Sequence, residues 1–312
     1  MQLNILITGG AGYIGSILVP KLLYKNHKVT VIDNLMFGID GLLVNFANKN
    51  FKFINEDVYN SEFIKKNISN FDFVIHLAAI VGYPACKKYP ELAVKINKVS
   101  TEQICNLLVK KSIPILYSST GSNYGAVEGE ICTEETPLNP VSIYGETKTA
   151  AELIASQTSN FLNYRFATAF GVSPRMRLDL LINDFVYQAI KNKNLTIYEK
   201  NFKRTFIHVI DIAENIIFGI EKFTDIKNNT FNIGSNEMNY SKAEIANIIK
   251  KKIPYYLHYA EIGTDEDKRN YEVDYSKSKK AGFKTKVDIE TGLNELIEVC
   301  KCLKIYSKYS NI

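Results

Sequence analysis

Three glycines in Gly9-Gly10-Ala11-Gly12-Tyr13-Ile14-Gly15 are spaced G-x-x-G-x-x-G directly after the apolar run Ile5-Leu6-Ile7-Thr8. Between a strand and a helix, that spacing suits phosphate binding. Gly9 can take the tight turn, Gly12 lets the backbone approach a pyrophosphate, and Gly15 lets the helix pack close to the strand. The helix start, from Tyr13 and Ile14 onward, offers unpaired N–H donors and partial positive charge to phosphate oxygens. A second strand pattern ends at Val31-Ile32-Asp33, 18 residues after Gly15. An acid there accepts both hydroxyls of an adenosine ribose and repels a 2′-phosphate, so the pattern reads as a site for NAD(H) in preference to NADP(H). A glycine triplet alone is weak, because loops produce it by accident; the strand, helix and acid give it weight. Asp57-Val58, after a third strand pattern, can hold an adenine edge. The small residues of Leu77-Ala78-Ala79, after a fourth, permit close approach of the cofactor's centre. His76 is expected to be a satisfied, buried histidine and not a catalyst.

A second set of residues carries acid–base chemistry. Tyr144 and Lys148 lie four apart in Tyr144-Gly145-Glu146-Thr147-Lys148, so a helix puts both on one face. A tyrosine is a poor base at its ordinary pKa of about 10. A neighbouring ammonium, joined by the charge of an oxidised nicotinamide, favours the phenolate and brings proton abstraction into range. Tyr-x-x-x-Lys is cheap in a chain with 19 tyrosines. It gains force from the strand ending Tyr117-Ser118-Ser119-Thr120, which sets a hydroxyl at the carboxyl edge of the sheet, where such folds bind ligands. Thr120 can then hydrogen-bond the oxygen that Tyr144 deprotonates.

The elements that must position these groups alternate regularly. Strand patterns cover Asn4–Thr8, Lys28–Ile32, Phe51–Asn55, Phe73–His76, Ile113–Ser118 and Tyr164–Ala169. Helix-like spacing fills the gaps at Ile14–Lys25, Ser61–Ile68, Pro90–Lys111 and Tyr144–Asn160. Continuous apolar strands alternating with helices predict an α/β fold, a Rossmann-like doubly wound parallel sheet. After Gly171 the pattern loosens into helices near 178–192, 211–223, 241–253 and 289–303 and strands near 195–198, 204–209 and 230–233. The expected division is a cofactor domain over 1–172, with returning segments near 204–234, and a smaller interleaved C-terminal substrate lobe over 173–312.

Composition removes several function classes. The 38 Lys and Arg against 33 Asp and Glu leave a net +5, with no block of five or six like charges. A nucleic-acid platform wants a dense basic stripe, so no such partner is expected. With 46% hydrophobic residues a sizeable core can be buried, yet no apolar run approaches the ~18 residues a membrane span needs. The chain enters its first strand pattern without signal-peptide character, and a cytoplasmic location is expected. Five scattered cysteines, no C-x-x-C pair and four histidines make a metal site improbable and favour free thiols.

Taken together, these residues resemble the extended short-chain dehydrogenase/reductases of the NAD-dependent sugar-nucleotide epimerase/dehydratase family. The resemblance runs over nearly the whole chain: Gly9–Gly15, Asp33-Asn34-Leu35, Asp57-Val58, His76–Ala79, Ser118–Thr120, Tyr124-Gly125, Tyr144–Lys148, Arg204–Asp211 and Gly282-Phe283-Lys284. It implies that Tyr144 is the base, that Lys148 tunes it and binds the cofactor's ribose, and that Thr120 is the hydroxyl partner. It implies NAD as cofactor, with Asn34 beside Asp33 in its site and with Asn97, on the helix behind the reacting centre, among the cofactor-binding residues. It further implies that Arg204 and Arg269 contact the diphosphate of a sugar nucleotide, that Asn183 contacts substrate, and that the chain is a homodimer joined by the helices at Pro90–Lys111 and Tyr144–Asn160. Two guanidiniums suit a diphosphate chemically.

Two departures refine the expectation. Dehydratases of the family carry an Asp-Glu pair after the active-site Thr; here Gly121 and Ser122 follow Thr120, which argues against water elimination. Glu56 replaces a common Gly before Asp57. The runs Arg165–Leu181 and Asp267–Tyr271 resemble a subgroup that includes GDP-heptose 4-dehydrogenases of bacterial surface-polysaccharide pathways. The expected substrate is thus a GDP- or UDP-linked sugar, oxidised at C4 by a 4-epimerase or 4-dehydrogenase. The alternatives are a 4,6-dehydratase or 4-keto-reductase of the same family, and, from another class, a non-catalytic NAD-binding regulator.

Overall fold

The structure is a computed structural model and describes residues 1–263, 269–304 and 309–311. Asp267 and Lys268, part of the second distinctive run, lie outside the described residues. Seven parallel strands form the central sheet: β1 (Asn4–Thr8), β2 (Lys28–Asp33), β3 (Phe51–Asn55), β4 (Phe73–His76), β5 (Ile115–Thr120), β6 (Phe161–Phe166) and β7 (Asn229–Ile233). Their order is β7-β6-β5-β4-β1-β2-β3, so the winding reverses between β4 and β1. That reversal opens a crevice at the carboxyl ends of β1 and β4, directly above Thr8 and His76.

The sheet is covered on both faces, as its uninterrupted apolar strands require. Along β1, Ile5 and Ile7 enter one core cluster with Leu18 and Leu22 of the helix Gly15–Tyr24 and Ile212 and Ile216 of the helix Val209–Glu221. Leu6 points the other way, among Ile104 and Leu108 of the helix Ser100–Val109 and Ala151 of the helix Ile143–Ser156. All three strand residues are fully buried, each contributing ~1.5–3 kcal/mol of burial free energy. A third cluster, built from Phe170, Leu178, Ile182, Ile289 and Leu293 among others, is the core of the lobe.

Two segments differ from the sequence expectation for tertiary reasons. The apolar run at 164–169 is two strands, because the chain changes sheets at Ala167: β6 pairs with β5 and β7, whereas Thr168–Phe170 pairs with Phe206–His208 in a separate three-stranded sheet. The helix expected over Pro90–Lys111 contains a π-helical stretch, Val94–Val99, and ends at Val109. The returning segment also divides: Lys203–His208 lies in the lobe-side sheet, whereas Asn229–Ile233 is the seventh strand of the main one. Among the described residues no helix is long and apolar enough to cross a membrane.

Candidate active site

One cavity of about 710 Å³ runs from the glycine loop to the lobe, a size suited to small-molecule ligands. At its sheet end, the chain leaves β1 through Gly9 with φ +71°, and a Cβ there would stand 2.6 Å from the backbone of Ala78. Gly15 meets the same limit, since its Cβ would lie 2.4 Å from the Gly10 carbonyl oxygen. Only glycine closes this cradle. Asp33 ends β2 beside it, its carboxylate accepting from Ala11 N at 3.0 Å and Leu35 N at 2.9 Å, and burial raises its pKa. Asn34 donates to Asp57 at 3.0 Å, which joins the ends of β2 and β3 at the cavity wall. Gly12, Tyr13, Ile14, Val58, Leu77, Ala78 and Ala79 line the same end. The Tyr13 hydroxyl is spent on the carbonyl of Gly171 at 2.6 Å, so this residue also ties the loop to the lobe. A glycine cradle that a side chain would fill, with a carboxylate at the next strand end, fits the pyrophosphate and ribose of a dinucleotide.

His76 is 1% exposed, hydrogen-bonded to Thr8 at 2.6 Å and Thr101 at 3.0 Å, with burial pushing its pKa down to about 3. It is a neutral structural histidine. Glu56 turns away from the cavity to accept from Ser61 Oγ, Glu62 N and Phe63 N at the start of the helix Glu62–Asn67.

In the middle of the cavity, β5 delivers Thr120 and the helix Ile143–Ser156 delivers Tyr144 and Lys148. Ser142 caps that helix by accepting from Gly145 N at 3.2 Å, which fixes its first turn, where Tyr144 sits. Tyr144 is hydrogen-bonded to Thr120. Burial pushes its phenol up to about 12, opposed by the Thr120 bond and the guanidiniums of Arg269 and Arg177. Lys148 is 3% exposed with Nζ 4.3 Å from the centre of the Tyr117 ring, and burial pushes its pKa down to about 7. Thr120, Arg269 and Arg177 favour the phenolate, and Lys148 rests on the Tyr117 ring.

One turn further along the helix, Glu152 accepts from Arg165 Nη2 at 2.7 Å, Ser119 Oγ at 2.5 Å and Asn123 Nδ2 at 3.1 Å. Arg165 also donates to the Tyr124 hydroxyl at 3.0 Å. This buried pair clamps the helix Ile143–Ser156 to β5 and β6. Glu152 was visible in the sequence as the next residue in the Tyr144–Lys148 four-residue spacing.

The lobe closes the far end. Arg204, 2% exposed, lines the cavity and donates to the Lys203 carbonyl at 2.9 Å. Arg269 also lines it and donates to Ser122 Oγ, which ties it to the loop after Thr120. Arg177 reaches the cavity in a buried pair with Asp179 at 2.5 Å. Arg175 lies over the Phe37 ring and donates to Asn311 at 2.7 Å, close enough to Asp33 to oppose the rise that burial gives that acid's pKa. Two residues expected in the ligand sites do not line the cavity. Asn97 is behind the wall, its amide engaged with Ile80 N, Ile80 O and Thr147 Oγ1. Asn183 is fully buried and braces Gly171 N and the Arg177 carbonyl. Both amides are consumed by protein groups, and neither lines the cavity.

Residues 5–234 match the profile of the NAD dependent epimerase/dehydratase family. UDP-glucuronic acid decarboxylase 1 of Xenopus tropicalis is 28% identical over 94% of this chain and 71% of its own length. Among solved structures, UDP-glucuronic acid 4-epimerase from Bacillus cereus, in complex with UDP-glucuronic acid and NAD, is 26% identical. It aligns over 96% of this chain and all of its own, with a TM-score of 0.86. UDP-glucose 4-epimerase from Thermotoga maritima, with UDP-glucose, is 25% identical over 95% of this chain and 97% of its own, with a TM-score of 0.82.

Proposed function

The chain belongs to the NAD dependent epimerase/dehydratase family and is an NAD-dependent enzyme; from that premise we propose that it oxidises a nucleoside-diphosphate sugar at C4. The outcome is either the C4 epimer or the released 4-ketone. The observation that carries this reading is the meeting of Thr120, Tyr144 and Lys148 midway along a cavity with the glycine cradle at one end and Arg204 and Arg269 at the other.

When bound, NAD accepts a hydride from the sugar carbon, can return it, and adds positive charge near a phenol that burial otherwise holds at about 12. Tyr144 takes the C4 hydroxyl proton and Thr120 hydrogen-bonds the same oxygen. Lys148 lies one helical turn beyond Tyr144 and adds positive charge there when protonated, and the arginines balance the diphosphate. Re-protonation of that oxygen by Tyr144, after the sugar has turned its other face, gives the epimer. A dehydratase needs a further acid–base pair at the sugar's C5 and C6. The loop after Thr120 supplies Gly121 and Ser122, and Ser122 is engaged with Thr120 and Arg269. Epimerisation or net oxidation is therefore favoured over dehydration. The likeness of the run 165–181 supports a role in supplying sugars for bacterial surface polysaccharides.

The test adds UDP-, GDP-, dTDP- and CDP-sugars to the NAD-loaded protein and follows NADH absorbance and product. Turnover of one sugar class that is lost in Tyr144→Phe supports the reading; full turnover by that variant contradicts it. We place the enzyme in the cytoplasm as a homodimer. Five free cysteines suit a reducing compartment. Val94 (42% exposed) and Leu153 (58%) stand on the two helices of the expected interface, whereas Ile104 and Leu108 turn into the core. Light scattering that returned a monomer mass would remove the dimer.

A further inference from the structure

Lys148 is buried at the cavity wall, and among the described residues its ammonium has neither an ion pair nor a hydrogen-bond acceptor. What it faces is the ring of Tyr117, whose centre lies 4.3 Å from Nζ. Tyr117 is a fully buried residue of β5, the strand that ends at Thr120. Two neighbours fix the ring: its hydroxyl donates to the Lys148 carbonyl at 3.5 Å, and the His76 ring of β4 stands 5.9 Å away. The other groups packed around the pair carry little charge. His76 is neutral, as its pKa of about 3 requires. Cys86 on the helix Tyr83–Lys88 and Cys105 on the helix Ser100–Val109 are thiols pushed up to about 12 by burial. Tyr144, one turn back on the helix that carries Lys148, is a phenol held at about 12. Glu152, one turn further on, pulls on Lys148 but is itself bound by Arg165.

Burial works against the ammonium, and the negative face of an aromatic ring works for it. A carboxylate in the place of the ring would hold the cation more firmly, but it would cancel the cation's field and repel a phenolate at Tyr144. The Tyr117 ring carries no net charge, because burial and neighbouring groups raise its phenol well above the ordinary value. We infer that Tyr117 is a positioning residue for the reaction: its ring face keeps Lys148 protonated at the cavity wall and leaves the positive charge uncancelled beside Tyr144. The inference rests on the role given to Lys148 in the proposed function and adds the group that sustains it.

A double-mutant cycle on the cofactor-free protein tests it, with Tyr117→Leu, Lys148→Met and the double variant unfolded in urea at pH 6 and pH 9. In the fold Lys148 is charged at the lower pH and neutral at the higher, since its pKa lies at about 7. Packing between the two side chains contributes equally at both. The favourable coupling is therefore about fivefold larger at pH 6 than at pH 9, read in the unfolding equilibrium constant. Tyr117→Phe keeps the ring and keeps that difference. Adding one, three and then five fluorines to the phenylalanine ring drains its face of negative charge at nearly constant shape. The series lowers stability stepwise at pH 6 relative to pH 9, and it decides the question even where the leucine variant does not fold. In turnover, Tyr117→Leu moves the pH at which Lys148 loses its proton down by about 0.7 unit, the same fivefold factor, and Tyr117→Phe leaves it in place. Equal coupling at both pH values, or a fluorine series with no effect on the pH dependence, overturns the inference and leaves the proposed function standing. The coupling without turnover of any sugar nucleotide overturns the proposed function alone.

Discussion

Replacing Lys148 with methionine tests the electrostatics of the site through its stability. Burial lowers the Lys148 pKa from 10.5 to about 7, against an opposing pull from Glu152. Above 10.5 the side chain is neutral in both folded and unfolded chains, and burial of charge costs nothing. As pH falls from 10.5 towards 7 the unfolded chain takes up a proton that the folded chain refuses, so stability is lost, and the loss is complete below 7. At about 1.4 kcal/mol per pH unit that gap amounts to roughly 4–5 kcal/mol at the plateau. Methionine fills similar space without charge but gives up the contact with the Tyr117 ring, on the order of 1 kcal/mol. Cofactor-free Lys148→Met is therefore more stable than wild type by on the order of 3 kcal/mol near pH 6. The gain shrinks to about 2 kcal/mol near pH 9, where the folded side chain is neutral and has no cation contact to lose, and disappears by about pH 10.5, while turnover is lost across the range. Urea unfolding of both proteins at matched pH measures the difference. A gain that does not change with pH, or a variant less stable than wild type near pH 6, would refute the claim that desolvation governs this lysine.

Four further outcomes follow from the same geometry. Glu152→Ala strands the Arg165 guanidinium in a site where the pair is 3% and 7% exposed, and urea unfolding should register a loss of about 3–5 kcal/mol. Glu152→Gln keeps acceptor and shape and loses less. Gly9→Ala forces a Cβ against Ala78 at positive φ, so the purified variant should carry little NAD, read by absorbance after denaturation. On the proposed pose, with the ribose hydroxyls at the Asp33 carboxylate, Asp33→Ala lowers the ratio of NAD to NADP affinity by about 10-fold or more in a binding titration. Acidification should destabilise the fold through His76: its neutral burial contributes stability that is complete above 6.5 and lost as pH falls towards about 3, and an acid titration followed by circular dichroism should place a transition in that window.

Local pattern made much of this molecule legible. β1 and β4 have the bounds their apolar runs predict, because strands buried on both faces leave a continuous hydrophobic signal, and the half-exposed edge strand β3 has its expected bounds as well. The glycine cradle and Asp33 could be read for the same reason, being joined by one strand–turn–helix unit and its neighbour. What escaped was set by contacts between distant segments. Ala126–Cys132 becomes a strand only by pairing with Asn270–Val273, and its glutamates and glycine carry no strand signal. The π-helical stretch at 94–99 leaves no trace in residue spacing. Asn97 and Asn183 were placed at ligands by resemblance, yet their amides are used up by Ile80 and by Gly171 and Arg177, partners 6 to 17 residues away.

The central claim is oxidation at C4 by Tyr144 without water elimination. The most direct measurement is NMR of the product formed from the responding nucleotide sugar in heavy water. The account predicts a C4 epimer or a 4-keto sugar that retains its C6 oxygen and carries no solvent deuterium at C6. A 6-deoxy product labelled at C5 or C6 would contradict it.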